Sequence, residues 1–597
     1  MKIPLARPGF LTITAAVALG TSMAIVPVAS SVASAAPQAR SSQVKATVFT
    51  LPLNVVGQVN LGQLAASEHR TKVATHPQGA PISRSAIAAS HFHAVDNALI
   101  SRRPKGTPAG LPAVANTPLT TKNVPGETGF SGLTNVLQAE THGGADLEPP
   151  DQGLCAGGGY VMEFINNALA IYNKSGYQLV APISSADAFL QPTTDFFSDP
   201  RCYYDAPTQR WFYQEFVVGT VNSAGQEVTP SVQYEAVSNT PDPTGSYTIF
   251  SWDTTDVGQA HCPCFGDYDN LGADANGIFV ATDEFPISGP GYNGVVLYGI
   301  AKGELETVAQ TGIIPPVVGY RIPTDPFGQT EIIAPASTPP GGRYAPGTEY
   351  FIESNPDAVS DNHLMVYAMH DTSELTLFTS GPPSLFRTEV TTQKYAFPPD
   401  AAQKPGPRPL GQEFQAPAGG IQTDFDAEME PTYTNGNLYA QLDTATTSNT
   451  SAADWFILKP SLSGTTLSAS VVHQGSIQVK NTSLMYPYTA VNAQGNGYLL
   501  FSLSGKDNYP SPAYVAYNGA TGPSGPVRIA TPGTAPEDGF TCYAAFVGPN
   551  YGGCRWGDYS MGVAMGNRIF MGAEMIPPTY RDELSNWGTF IYSAPVP

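Results

Sequence analysis

The stretch GADANGIFVATDEF, Gly272 to Phe285, decides the fold. Asp274, Asn276 and Gly277 make a tight turn, because Asn and Gly accept the left-handed backbone that a hairpin connection needs. The apolar and β-branched run that follows reads as a strand. The same unit returns in PTYTNGNLYAQLDTA (Pro431 to Ala445), YTAVNAQGNGYLLFSLSG (Tyr488 to Gly505) and DYSMGVAMGNRIFMGAEMI (Asp558 to Ile576). A hairpin plus a further strand, repeated from about residue 146 to the C-terminus, predicts an all-β fold. The expected architecture is a β-propeller of about seven blades, with six or eight also compatible. A β-sandwich pair accounts for short strands but not for the recurring unit. The last strand, Thr589 to Ala594, is expected to close the ring beside the first unit, Tyr160 to Gly176.

Composition supports turn-rich β structure. Only 13% of the 597 residues are charged, about half the average share, while Gly (59) and Pro (55) abound. The net charge of −21 disfavours nucleic acid and anionic membranes as partners, since a phosphate backbone needs a basic face. Lys2 and Arg7, the apolar run from Phe10 to about Ala29 and the small residues Ala33-Ser34-Ala35 read as a cleaved export signal. The expected product is a secreted, monomeric protein without membrane insertion. Residues 36–145 are Ala, Ser, Thr and Pro rich, and 36 to about 125 read as a loosely ordered leader or linker, with a strand expected at Lys45 to Val56 and a brief helix near Arg84 to Ile100. The propeller is expected over 146–597.

Six cysteines in an exported chain imply disulfides, although six permit 15 connectivities. Cys542 with Cys554, across a Pro- and Gly-containing turn, is the favoured pair, and Cys155 with Cys202 and Cys262 with Cys264 would complete one of the connectivities still open. The last closes a small ring.

The segments EPPDQGLCAGGGYVMEFINNALAIYNKSG (Glu148 to Gly176), SDPRCYYDAPTQRWF (Ser198 to Phe212), CPCFGDYDNLGADANGIFVATDEF (Cys262 to Phe285) and CRWGDYS (Cys554 to Ser560) resemble a family of large, mostly uncharacterised exported bacterial proteins regarded as propeller-like. The resemblance implies a secreted bacterial propeller over roughly 146–597. It brings no activity or catalytic residues with it.

Candidate chemistry is sparse. Asp424, Asp426, Glu428 and Glu430 alternate, so on a strand all four share a face that suits a cation or a glycosidase acid and base. A solvated edge strand explains them as well. Asp267, Asp269 and Asp274, with Asn276, form an oxygen-rich run suited to a structural Ca²⁺, although Asp274 to Gly277 is better read as a turn. Tyr320-Arg321-Ile322-Pro323 resembles a sialidase arginine motif, and Arg201 and Arg555 would complete a carboxylate-gripping triad; the aspartate-box hairpins of sialidases are absent. His261 beside Cys262 and Cys264, His91 with His93, and His370 with Asp371 admit metal or acid–base readings that ordinary local structure explains. Trp211, Phe212, Trp455, Phe456, Trp556 and Trp587 are expected to pack blade against blade, while aromatics at the channel mouth would stack on sugars. No nucleophile elbow, zinc helix or phosphate loop is present. The leading expectation is a non-catalytic binding module for an extracellular ligand such as a polysaccharide. A propeller-type glycoside hydrolase or lyase comes second, and an envelope structural protein third. No cofactor is expected beyond a structural Ca²⁺.

Overall fold

Strand pairing in the computed structural model resolves the repeats into seven sheets arranged as blades. The description covers residues 41–68, 70–87, 91–94, 108–192, 195–256, 258–324, 331–356, 358–377, 379–423, 430–548 and 553–597. Blade 1 runs from Gln152–Gly157 through Tyr160–Ile165 and Ala168–Asn173 to Gln178–Ser184. Blades 2 to 6 begin with Phe197–Asp205, Cys264–Ala273, Ala334–Pro335, Thr432–Thr434 and Thr482–Val491, and each adds three further antiparallel strands outward. Blade 7 takes only three strands from the C-terminal region, Met561–Met565, Arg568–Met575 and Gly588–Pro595. First strands of successive blades touch around the ring, and the step from blade 4 to blade 5 is a parallel bridge between Ser337 and Thr432. They therefore line a central channel.

The hairpin turns form where the sequence places them. Asn435 and Gly436 have φ of 54° and 75°, the doubly left-handed pair that matches strand twist in a two-residue hairpin. Asp274 Oδ1 accepts from the Asn276 and Gly277 amides, both at 2.7 Å, so this turn is held by its own aspartate. Apolar cores sit between neighbouring blades. Trp252 of blade 2 meets Tyr298 of blade 3 edge-on at 5.8 Å, and Trp211, Phe212, Trp455, Phe456, Trp556 and Trp587 are all buried, as blade packing requires.

The segment read as a loosely ordered leader is instead, over its described residues, a strap around the outer edges. Ser42–Gln43, Thr47–Leu51 and Asn54–Asn60 become fifth strands on blades 4, 3 and 2 in turn. The strand expected from Lys45 to Val56 is thus two strands, broken at Pro52, where the chain steps between blades. Leu61–Ser67 follows as a helix whose first-turn Gln63 amide donates to Asn60 Oδ1 at 3.0 Å. Of the helix expected near Arg84 to Ile100, the described part is Arg84–Ile87, and His91–Ala94 pairs in parallel with Ala145–Glu148. Leu119–Thr120 lies parallel on blade 6, and Thr128–Thr134 is the outermost strand of blade 7. Ring closure is therefore made by this early strand on Gly588–Pro595, not by the C-terminal strand beside blade 1. Val44, Leu53, Val59 and Leu61 anchor the strap, each no more than 7% exposed. Fully burying such a side chain is worth roughly 1.5–3 kcal/mol. Gly319 of blade 3 has no Cβ where the Phe49 ring of the strap lies against it.

All three disulfides expected from sequence are formed, Cys155–Cys202, Cys262–Cys264 and Cys542–Cys554. Among the described residues no helix is long and apolar enough to cross a membrane.

Candidate functional site at the channel mouth

The ends of the first strands and the hairpin turns that follow them shape one mouth of the channel. A narrow recess enters between Cys155, Tyr203, Tyr204 and Tyr488, with Arg201 and Glu430 at its floor. The recess has a volume of about 60 Å³, enough for a few waters but not for a sugar ring.

The floor is built by irregular strands. The first strands of blades 2, 3 and 6 each carry a bulge, between Ser198 and Arg201, between Asp267 and Asn270, and between Met485 and Tyr488. In each, a non-glycine residue takes left-handed backbone: Asp199, Tyr268 and Tyr486, with φ of 56°, 52° and 54°. Bulges of this kind re-aim the next side chains. Arg201 is 1% exposed, and its Nε lies 2.6 Å from Glu430 Oε1. Its Nη2 donates to Asn270 Oδ1 at 3.4 Å, and the guanidinium stacks 3.3 Å from the Tyr559 ring centre. Tyr559 donates to Asp199 Oδ2 at 2.8 Å. Burial raises the Glu430 carboxyl above its ordinary range, and Arg201 opposes that. Glu430 is the one carboxyl among the described residues lining the recess.

Beside the recess the mouth widens into a groove of about 490 Å³, within the range of small-ligand sites. Three turns wall it: Gly341 to Tyr344 of blade 4, Asn435-Gly436 of blade 5 and Ala493-Gln494 of blade 6. Asn435 Nδ2 and Thr434 Oγ1 donate to Ala493 O at 2.8 and 3.0 Å, which ties the last two together. Tyr433 is half-buried, its ring packed 5.3 Å from Tyr350. Tyr344 is held from behind, donating to Asp205 Oδ1 at 2.6 Å. Arg343, Asn435 and Gln494 are exposed. Among the described lining residues there is no carboxyl or imidazole. Sequence reading passed over these positions because Tyr433 and Asn435 served it only as strand and turn.

The arginine triad is not assembled. Arg321 lies on the fourth strand of blade 3, paired at 2.6 Å with Asp256 and facing Phe49 of the strap, whereas Arg201 is on a first strand. Arg555 is paired with Asp558 at 2.5 Å. Asp424, Asp426 and Glu428 lie outside the described residues. The run Asp267, Asp269, Asp274 is divided: Asp274 belongs to its turn, with Thr372 Oγ1 also donating to it at 2.5 Å. No group of three His, Cys, Asp or Glu side chains among the described residues is placed to hold a metal. His370 pairs with its neighbour Asp371 at 3.4 Å.

A buried carboxyl pair, Glu148 and Glu537, lies in segments that precede the first strands of blades 1 and 7. Glu148 Oε2 accepts from the Thr541 amide at 2.9 Å, and Glu537 Oε1 from the Gly539 amide at 2.7 Å. The other oxygens, Glu148 Oε1 and Glu537 Oε2, have no donor, and the two carboxyls are within hydrogen-bonding reach of each other. A shared proton satisfies both. Burial pushes Glu537 up to about 7 and, with the Glu537 charge added, Glu148 well above its ordinary range. Carboxyls raised in the native state make the folded protein take up protons that the unfolded chain releases. Stability is then greatest below the ordinary carboxyl range and falls as pH rises toward 7, by up to ~1.4 kcal/mol per pH unit for each proton. Thermal melts should show this decline, and Glu537→Gln, whose amide supplies the donor at every pH, should flatten part of it. An unchanged slope would remove the pair from the account.

No protein-family model matches the chain, and no curated protein matches it. Solved structures similar to it include an exo-β-1,3-galactanase from Phanerochaete chrysosporium with galactose, at 11% identity over 78% of this chain and 96% of that one, TM-score 0.26. Another is an exo-β-1,3-galactanase from Clostridium thermocellum, at 11% identity over 65% and 82%, TM-score 0.27. A third is the Trypanosoma rangeli sialidase in complex with sialic acid, at 9% identity over 66% and 54%, TM-score 0.29. Scores this low carry no argument, and the propeller rests on the sheet topology.

Proposed function

We propose that this chain is an exported binding module that holds a segment of polysaccharide in the groove at the channel mouth without cleaving it. The observation that carries the reading is the groove lining: two tyrosines fixed from behind, exposed amides at Asn435 and Gln494, and Arg343, with no carboxyl or imidazole among the described lining residues. Tyrosine rings offer an apolar face to a sugar ring, and amides and guanidinium bond its hydroxyls. Glycoside cleavage by the usual route needs two carboxyl groups flanking the bond; the neighbouring recess offers Glu430, already engaged by Arg201. The N-terminal export pattern and three disulfides support a place outside the cytoplasm.

Affinity electrophoresis and calorimetry against a panel of soluble polysaccharides test this, with each ligand checked for new reducing ends. Binding without product is expected. Tyr433→Ala and Gln494→Ala should each weaken it about tenfold, equivalent to ~1.4 kcal/mol, with the exposed Gln494 variant keeping the thermal stability of the parent. Product formation, or binding indifferent to both substitutions, would overturn the reading.

A further inference from the structure

The two middle strands of blade 2, Arg210–Val217 and Val232–Ser238, are buried almost end to end, yet they carry Gln214, Gln233 and Glu235, each 0% exposed. Gln214 and Glu235 are cross-strand partners, and Gln233 lies two residues from Glu235, so all three share the face turned toward blade 3. Asp269 of blade 3, also 0% exposed, meets them there. Gln214 Nε2 donates to Asp269 O at 2.5 Å and to Asp269 Oδ2 at 3.1 Å, and Gln233 Nε2 donates to the same Oδ2.

What remains is a set of oxygens with no donor: Asp269 Oδ1, both carboxyl oxygens of Glu235, Gln214 Oε1 and Gln233 Oε1. An anion closed off from water must be paired, protonated or bound to a metal. The nearby cation, Arg201, is already engaged by Glu430, Asn270, Pro200 O and the Tyr559 ring.

We infer that Asp269, Glu235, Gln214 and Gln233 form a buried site for a hard divalent cation, Ca²⁺ by the chemistry of its donors. The set is all oxygen, which excludes soft metals, and mixes carboxylates with amide carbonyls as Ca²⁺ sites do. Two carboxylates balance the ion's charge. Rotating either amide by half a turn brings its Oε1 to where its Nε2 now sits, an exchange that costs no change of shape. The ion would link the middle of blade 2 to the bulged first strand of blade 3. Of the three acidic residues that the sequence suggested for Ca²⁺, this site includes Asp269 alone. The rival occupant is a proton, since burial and then the Asp269 charge push the ion-free Glu235 carboxyl well above its ordinary range.

Because the site is closed, exchange runs through unfolding. The full exported chain should be unfolded and refolded in parallel with CaCl₂, MgCl₂ or EDTA, desalted, and measured for metal content and melting temperature. A single retained Ca²⁺ and a higher melting temperature in Ca²⁺ than in EDTA or Mg²⁺ are expected. In Glu235→Gln, with its fold checked by near-ultraviolet circular dichroism, the retained ion and the Ca²⁺-dependent shift should both be lost. If the parent retains no Ca²⁺ and melts alike in all three, the group holds protons and the inference fails. A shift of full size in Glu235→Gln would place the ion elsewhere and also overturn it. Should Glu235→Gln not fold, Asp269→Asn serves as the second variant, with the same two outcomes.

Discussion

Glu163→Ala should destabilise the protein by on the order of 4 kcal/mol or more, because it undoes the ring closure from inside. Glu163, on the second strand of blade 1, is 0% exposed. Its carboxylate accepts from the Leu133 amide of the closing strand at 2.9 Å, from Gln152 Nε2 at 2.9 Å, from the Tyr172 hydroxyl at 3.3 Å and from Thr589 Oγ1 of blade 7. One side chain thus ties blade 1 to both strands that complete blade 7. Gly132 permits the approach, since a Cβ there would collide with this carboxylate and with Thr589. Removing the carboxylate leaves three buried donors unsatisfied, each costing about 1–3 kcal/mol, since Thr589 Oγ1 keeps Leu133 O as its acceptor at 3.1 Å. Glu163→Gln, which keeps the size and one acceptor, should lose about half as much. Urea unfolding followed by circular dichroism and by tryptophan fluorescence measures both. If the two variants unfold with the parent, the closure does not depend on this carboxylate.

Arg201→Ala should cost about 3–5 kcal/mol, the usual range for breaking a buried ion pair from one side. The loss strands Glu430 and removes the charge that Asp199 and Asp269 also feel. Arg201→Lys should recover only part, because a point charge cannot replace the planar group stacked on Tyr559 while it meets Glu430 and Asn270. Equilibrium unfolding of both variants is the measurement. Parental stability combined with lost polysaccharide binding would return Arg201 to the role of a ligand-gripping residue.

The blades were legible because their information is local. The Asn435-Gly436 and Asp274 to Gly277 turns declare themselves within a few residues, and each hairpin finds its partner next in sequence. The strap was not legible for the opposite reason: Ser42 pairs with Arg387, and Thr128 with Ser593, so no short-range period marks either strand. At the site, residue type misled. Arg201, Arg321 and Arg555 look interchangeable in a string, but one lines the channel and another faces the strap. Gln214, Gln233 and Glu235 did carry a readable signal. With Glu215 they interrupt YQEFV and VQYEA, strands otherwise too apolar to have a wet face, and a polar residue in such a strand needs a partner.

The strap also sets an order of events. Synthesis begins at the N-terminus, so Ser42–Gln43 exists long before Ser384–Ala396, and Thr128–Thr134 before Gly588–Pro595. Strands made early thus wait for partners made much later, and closing such long loops is slow. Until the final strand arrives the blades are a row and not a circle, with both ends of the row open to another chain. Any cell that makes this protein must keep Thr128–Thr134 unattached until Gly588–Pro595 is complete.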